Sequence, residues 1–170
     1  MCIRDRGDGR PFFAFAAYTS PHWPLQVPDE YRDLYRGRYD MGYDRLREER
    51  FASLQEAGIV PGDHELPPRL DWITPWSELS PEERRVEARK MELYAAMVEN
   101  LDHHVGRVLD YLETEGMLEN TLVVFMADNG AAAEDFFNVG PFAEWLQRHY
   151  DNDYESMGTP TSYVSYGPQW

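Results

Sequence analysis

Two apolar runs dominate the pattern of hydrophobic and polar positions, and each ends abruptly in polar residues. Residues 11–18 have the sequence PFFAFAAY and are followed by TSPHWP, and residues 120–130 have the sequence NTLVVFMADNG. Neither run alternates between apolar and polar positions, which is typical of strands buried on both faces of a parallel or mixed sheet. If the two strands lie parallel, His22, Asp128 and Asn129 come off the same edge of the sheet, where open α/β folds bind ligands.

Each of these segments also has a simple structural interpretation when it is taken alone. A histidine after a strand is commonly a structural hydrogen-bonding residue, and Asp-Asn-Gly is commonly a tight turn. The combination of the two at strand ends is what indicates a site. Pro21, Pro24 and Pro28 further predict a stiff, extended loop that presents His22, because each proline fixes its own φ and disfavours helix before it.

A long helix is predicted between the two apolar runs. Ser80, Pro81 and Glu83 have the spacing of an N-cap, a first helical position and the closing residue of a capping box. Apolar residues then recur three to seven positions apart down one face until Gly116, which supplies a stop. A long helix followed by a buried strand is typical of the second half of a βαβ crossover.

The other segments predict shorter elements. Aromatic and apolar residues at loosely helical spacing in residues 29–57 predict short amphipathic helices around Gly37 and Gly42, and residues 142–147 predict one more helix. Residues 59–75 are rich in Pro, Gly, Asp and Trp, which indicates a long loop rather than a domain boundary. Together the elements predict an α/β fold, with part of a mixed, mostly parallel sheet flanked by helices.

The charge balance limits the classes of partner. With 16 Lys+Arg against 31 Asp+Glu, the formal charge is −15, so neither a nucleic acid nor an acidic membrane surface is expected to bind. An anionic substrate would need local attraction from a metal or a few fixed donors. No run approaches the roughly 20 apolar residues of a membrane helix, so no membrane association is expected.

The residues at the two strand ends could carry chemistry. Asp128 and Asn129 offer a carboxylate and a carbonyl oxygen, which suit a hard divalent cation such as calcium or magnesium, although calcium takes six to eight ligands. His22 could donate a hydrogen bond to an anionic oxygen or act as an acid near neutral pH. The chain shows no GxSxG elbow, P-loop or Cys-His arrangement, so it offers no convincing nucleophile.

Other candidate residues have mainly structural interpretations. His103 and His104 are adjacent on the predicted long helix, so they point in different directions and cannot both ligate one metal. Four tryptophans are candidates to line a substrate mouth, although packing is the default role of this residue. They are Trp23, Trp72, Trp76 and Trp145.

Four ordered blocks resemble the arylsulfatases of the sulfatase family, within the alkaline phosphatase superfamily. The blocks are PFFAFAAYTSPHWPLQVP, YRGRYDMGYDRLREER, ARKMELYAAMVENLDHHVGRVLDYLE and ENTLVVFMADNGA, and the likeness continues through DFFNVGPFAEW to TSYVSYGPQW. The resemblance implies an alkaline phosphatase-like fold and hydrolysis of sulfate esters. It further implies that His22 contacts the sulfate group and that Asp128 and Asn129 are ligands of an active-site Ca²⁺.

The resemblance also shows what this chain does not contain. The family's nucleophile is a formylglycine made from the first residue of a C/S-x-P/A-x-R motif, and Cys2 is instead followed by Ile-Arg-Asp-Arg. The paired aspartates that complete the calcium site and several basic residues of the family are also missing. We therefore expect residues 11–170 to be an internal part of a sulfatase catalytic domain, inactive when isolated.

The start of the chain is expected to be foreign to the rest. The hexapeptide MCIRDR can be encoded by a nucleotide sequence that resembles a transposon-end adapter of sequencing libraries. We therefore hypothesise that residues 1–10 contain a non-native segment.

Two alternative functions stay open at this point. A phosphodiesterase or phosphonate monoester hydrolase of the same superfamily would share the metal ligands and the strand-end histidine, and a non-catalytic sulfatase-like protein would only bind its ligand. The expected partner is a small-molecule or glycan sulfate ester. The sequence assigns neither an oligomeric state nor a compartment, and periplasmic and extracellular locations are both compatible with the resemblance.

Overall fold

Helices dominate the structure. The computed structural model describes residues 11–170, with helices α1 (Tyr43–Glu56), α2 (Pro81–Thr114) and α3 (Ala143–His149). Single turns of 3₁₀ helix lie at Trp76–Glu78 and Leu118–Asn120. None of the helices within these 160 residues combines the length and the apolar character needed to cross a membrane.

Helix α2 confirms the prediction of one long helix and its N-terminal cap. The Ser80 hydroxyl accepts a hydrogen bond from the Glu83 N–H at 3.3 Å, and the Glu83 carboxylate accepts one from the Ser80 N–H at 2.8 Å. Pro81 occupies the first helical position, where its missing N–H has no partner to lose. At the other end, Gly116 adopts a φ of 67° and follows the last turn, as the sequence predicts.

The core forms where two loop segments pack on α2. Leu93 and Ala96 are fully buried and contact Leu25 and Met157, which lie in loops before α1 and after α3. The two loops are also joined by backbone hydrogen bonds, from Leu25 N–H to the Val164 carbonyl at 2.8 Å and from Val27 N–H to the Gly158 carbonyl at 3.0 Å. The other buried members of this cluster are Val27, Met97, Val164 and Tyr166.

A buried ion pair fastens the segment before α1 to the same helix. The Arg89 side chain is 1% exposed, and its guanidinium contacts the carboxylates of Glu92 and Asp33, each at 2.9 Å. The second oxygen of Glu92 accepts a hydrogen bond from the Gly37 N–H at 2.8 Å. The charge of Arg89 is therefore compensated from both α2 and the preceding loop.

The predicted short helices before α1 are partly wrong. Residues 29–41 form successive turns, and only the helix after Gly42 is present. Gly37 and Gly42 adopt φ values of 73° and 86°, which interrupt a right-handed helix. At Gly42 an added Cβ would lie 2.2 Å from the Trp76 ring, so the chain passes close to this ring. The predicted loop over residues 59–75 and the predicted helix near residues 142–147 are confirmed.

The predicted sheet is not confirmed. Residues 11–18 and 121–127 carry no strand, and β-structure in the described part of the chain is limited to one parallel bridge between Gln26 and Gly158. The two apolar runs are exposed instead of buried, with 92% exposure at Phe13 and 90% at Leu122. A strand is stabilised by hydrogen bonds to a neighbouring strand, and the described residues provide no such neighbour for either run.

The predicted extended loop after the first run is wrong in its first half. Residues 20–24 turn back, and the His22 N–H donates a hydrogen bond to the Thr19 carbonyl at 2.9 Å. The prediction of a non-native segment falls on residues 1–10, which lie outside the described residues.

The close approach of Gly158 to α2 predicts a sharp response to one added methyl group. Gly158 has a φ of 89°, and an added Cβ would lie 2.5 Å from Cδ2 of Leu93. We expect Gly158→Ala to lower the free energy of unfolding by about 1–3 kcal/mol, through backbone strain and overpacking. Urea unfolding followed by circular dichroism measures this change. Gly62→Ala is the control, because a Cβ there meets nothing within 4 Å; equal losses in both variants would contradict the prediction.

The cap of α2 predicts a dependence on pH. The Ser80 hydroxyl and N–H donate to Glu83 and hold the pKa of this carboxyl below its usual value. Because the pKa is lowered in the folded state, the stabilisation is present above the unfolded pKa and is lost as the pH falls through the folded pKa. Ser80→Ala should cost about 1 kcal/mol and raise the pKa of Glu83. An NMR pH titration of Glu83 tests this, with Ser77→Ala, an exposed serine outside the cap, as the control; an unmoved titration in Ser80→Ala would refute it.

The exposed apolar runs predict self-association of the chain when it is isolated. Unpaired apolar segments of high β propensity pair with other chains. We expect sedimentation velocity to show mass that rises with concentration, and Phe13→Lys combined with Val124→Lys, at two exposed positions, to reduce it. The matched control is Ile59→Lys, which adds a charge at a 70% exposed position outside the two runs. A monomeric mass together with a sharp cooperative melt would contradict this expectation.

Candidate active site

His22 lies on the turn that follows the first apolar run. Its side chain is exposed, and Nδ1 lies 2.6 Å from the Trp23 carbonyl oxygen. Since a carbonyl oxygen can only accept, this contact places a proton on Nδ1. Nε2 is then left to accept a proton, or to donate one when the ring is cationic. The Nδ1 contact thus fixes the orientation of the imidazole, and a catalytic role of His22 stays a prediction.

Asp128 and Asn129 lie on a bend at the end of the second apolar run, and both are exposed. The Asn129 amide nitrogen donates to the Gly130 carbonyl at 2.7 Å, which leaves the amide oxygen available as a ligand. A carboxylate and an amide oxygen fit a hard cation such as Ca²⁺. Among residues 11–170, however, no three His, Cys, Asp or Glu side chains cluster as a metal site would require. Metal binding by Asp128 and Asn129 stays a prediction.

The structure brings the two predicted site segments to one region through their neighbours. The Trp23 ring lies 5.3 Å from the Phe136 ring and 5.9 Å from the Tyr163 ring. The Ala132 N–H donates to the Tyr166 hydroxyl at 2.9 Å. Both segments thus pack against residues 163–166, although the hydrogen bonds of His22 and Asn129 themselves are local.

A row of neighbouring aromatic rings begins at His22. The distance between ring centroids is 4.5 Å for His22 and Trp23, 5.2 Å for Tyr150 and Tyr163, and 4.3 Å for Trp145 and His149. Burial raises the pKa of the Tyr163 hydroxyl, so this phenol stays neutral well above neutral pH. In chain order the row comprises His22, Trp23, Phe136, Trp145, His149, Tyr150 and Tyr163.

Sequence reasoning found only part of this row. Of the four candidate tryptophans, Trp23 and Trp145 belong to it, whereas Trp76 packs against Tyr43 and Trp170 instead. Phe136 was missed because it belongs to no motif, and the dense aromatic spacing of the DFFNVGPFAEW stretch was the one available signal.

The two histidines of helix α2 contact residues of the same helix. His103 and His104 are exposed on α2 with their ring centroids 5.3 Å apart, and His104 faces Arg107 at 3.2 Å. A neighbouring cation disfavours a metal ion at the same nitrogen. The expectation that these two histidines are structural stays a prediction.

Comparison with known proteins assigns the family. The sulfatase family model matches residues 3–168 of the 170. This chain belongs to the sulfatase family. It is 42% identical to an uncharacterized sulfatase of Schizosaccharomyces pombe over 99% of its length, and 40% identical to an arylsulfatase of Klebsiella aerogenes over 95%. The resemblance found in the sequence is thereby confirmed.

The chain matches only part of the length of each of these relatives. The chain covers 31% of the fission yeast sulfatase and 34% of the Klebsiella arylsulfatase, about a third of each. A more distant relative is the multifunctional alkaline phosphatase superfamily protein PehA of Trinickia caryophylli, 25% identical over 78% of this chain. Membership of the family implies an alkaline phosphatase-like α/β fold.

Proposed function

We propose that the complete protein hydrolyses sulfate esters of aryl or related alcohols, and that residues 11–170 supply only part of its active site. The observation that carries this proposal is 40% identity to an arylsulfatase over 95% of the chain.

In this proposal His22 handles the sulfate group. Its Nδ1–H is held by the Trp23 carbonyl at 2.6 Å, so Nε2 is the nitrogen that meets the substrate. As an imidazolium it donates a hydrogen bond to a sulfate oxygen or a proton to the leaving oxygen, and the exposure of the ring allows this approach.

Asp128 and Asn129 would hold Ca²⁺ with their side-chain oxygens. A bound Ca²⁺ supplies positive charge that stabilises the charge developing on the sulfate oxygens. Such local charge is needed because the formal charge of the chain is −15, which repels an anionic ester at longer range. The remaining ligands and the formylglycine nucleophile would come from parts of the protein outside residues 11–170.

Hydrolysis of p-nitrophenyl sulfate tests this function. We expect calcium-dependent turnover by the full-length protein and none by the 170-residue chain. In the full-length protein, His22→Ala should lower kcat by about 10²–10⁴-fold, the usual contribution of general acid–base catalysis. His64→Ala is the matched control, since His64 is another exposed loop histidine. Clear turnover by the isolated chain would refute the claim that its site is incomplete.

The same assay separates the alternatives. Faster hydrolysis of bis-p-nitrophenyl phosphate or a phosphonate monoester than of the sulfate would favour the rival enzyme class. Binding of the sulfate ester without turnover by the full-length protein would identify a non-catalytic relative.

A further inference from the structure

Phe136 stands out among the exposed side chains because its ring packs against Trp23, the neighbour of the candidate residue His22. Its ring lies 5.3 Å from the Trp23 ring, which in turn lies 4.5 Å from the His22 ring. It also follows Asp128 and Asn129 closely in the chain. Phe136 is nevertheless 37% exposed, so part of its ring is free to meet a ligand.

The loop that carries Phe136 is held in place by hydrogen bonds. The Asp135 carbonyl accepts from the Val139 N–H at 3.0 Å, and the Asp135 carboxylate accepts from the Asn138 amide at 2.7 Å. From helix α3, the Gln147 amide donates to the Phe137 carbonyl at 2.9 Å. A ring on a restrained loop binds a ligand with less loss of conformational entropy than a ring on a free one.

We propose that Phe136 is a specificity-determining residue that binds the aryl ring of the substrate, with Trp23 supporting it from behind. The proposal rests on the proposed function. The two ring-to-ring steps, of 4.5 Å from His22 to Trp23 and 5.3 Å from Trp23 to Phe136, set an upper limit on the separation of His22 and Phe136, and an aryl ester whose sulfate group lies at His22 can reach Phe136 with its ring. Edge-to-face pairing then gives an aryl ester an attraction that an alkyl ester lacks.

The surroundings of Phe136 favour an apolar ring over a hydroxylated one. Val139 is 69% exposed and Phe142 is 64% exposed, so two more apolar side chains close to Phe136 in the chain are open to solvent. The Asn138 amide and the Asp135 carboxylate, two polar groups on this loop, are already hydrogen-bonded to each other. A sugar ring would leave several hydroxyl groups against this apolar surface without partners, which is costly.

A binding experiment on the full-length protein tests this role independently of turnover. Benzylsulfonate replaces the ester oxygen of phenyl sulfate with CH₂ and is not hydrolysed, and butanesulfonate is its alkyl counterpart. We expect the protein to prefer benzylsulfonate, and Phe136→Leu to reduce this preference by about threefold to tenfold, as loss of an aromatic pair implies. Phe136→Tyr should retain the preference, since it keeps the ring. Isothermal titration calorimetry measures both affinities.

Phe51→Leu is the control, because Phe51 is a half-buried phenylalanine on helix α1, outside the aromatic row. An unchanged affinity for butanesulfonate in Phe136→Leu would show that the site itself is intact. Equal preferences in the two leucine variants, or no preference in the unmodified protein, would overturn the proposal. Failure of the proposed function appears separately, as absent hydrolysis of p-nitrophenyl sulfate despite aryl-selective binding.

Discussion

The contact of Leu93 on α2 with Gly158 is the constraint on which the described structure depends. Leu93 is fully buried, and its Cδ2 lies only 2.5 Å from where a Cβ at residue 158 would be. The absence of a side chain there lets the C-terminal segment lie directly on the helix and accept the Val27 N–H at 3.0 Å. Both predicted site segments are attached to this arrangement, the His22 turn through Leu25 and the segment after Asn129 through Tyr166.

The buried charge of Arg89 acts on the same helix in a different way. Removing a guanidinium from water is costly, and the carboxylates of Glu92 and Asp33 at 2.9 Å offset that cost. A buried ion pair of this kind is weak evidence for net stability. Its geometric effect is clearer, because Glu92 also accepts the Gly37 N–H and so aligns the turns before α1 with one position along α2.

The features that could be predicted from the sequence are those determined by nearby residues. The cap of α2 requires only Ser80, Pro81 and Glu83, and the end of the helix requires only Gly116. Both ends of α2 could therefore be predicted from residues close together in the sequence. Strands at residues 11–18 and 121–127 would depend on partner strands that no local pattern supplies. The positions of His22, Asp128 and Asn129 at the ends of the apolar runs followed from the sequence, but the packing of the neighbouring residues Trp23 and Ala132 against residues 163–166 did not. That packing depends on single contacts, such as Trp23 with Tyr163, between residues far apart in the chain.

The two halves of the candidate site differ in how firmly the fold holds them. His22 is separated by two residues from Leu25, which is fully buried and hydrogen-bonded to Val164, so the backbone of the His22 turn is attached to the core. Asp128 follows a run in which Leu122 is 90% exposed, and the nearby Ala132 N–H to Tyr166 hydroxyl bond is a main attachment of this segment. A cation bound by Asp128 and Asn129 would have to offset the entropy of ordering that run. In a larger sheet, neighbouring strands would already order this run before the cation binds. The entropy lost on binding would then be smaller, and the same two oxygens would bind the cation more tightly.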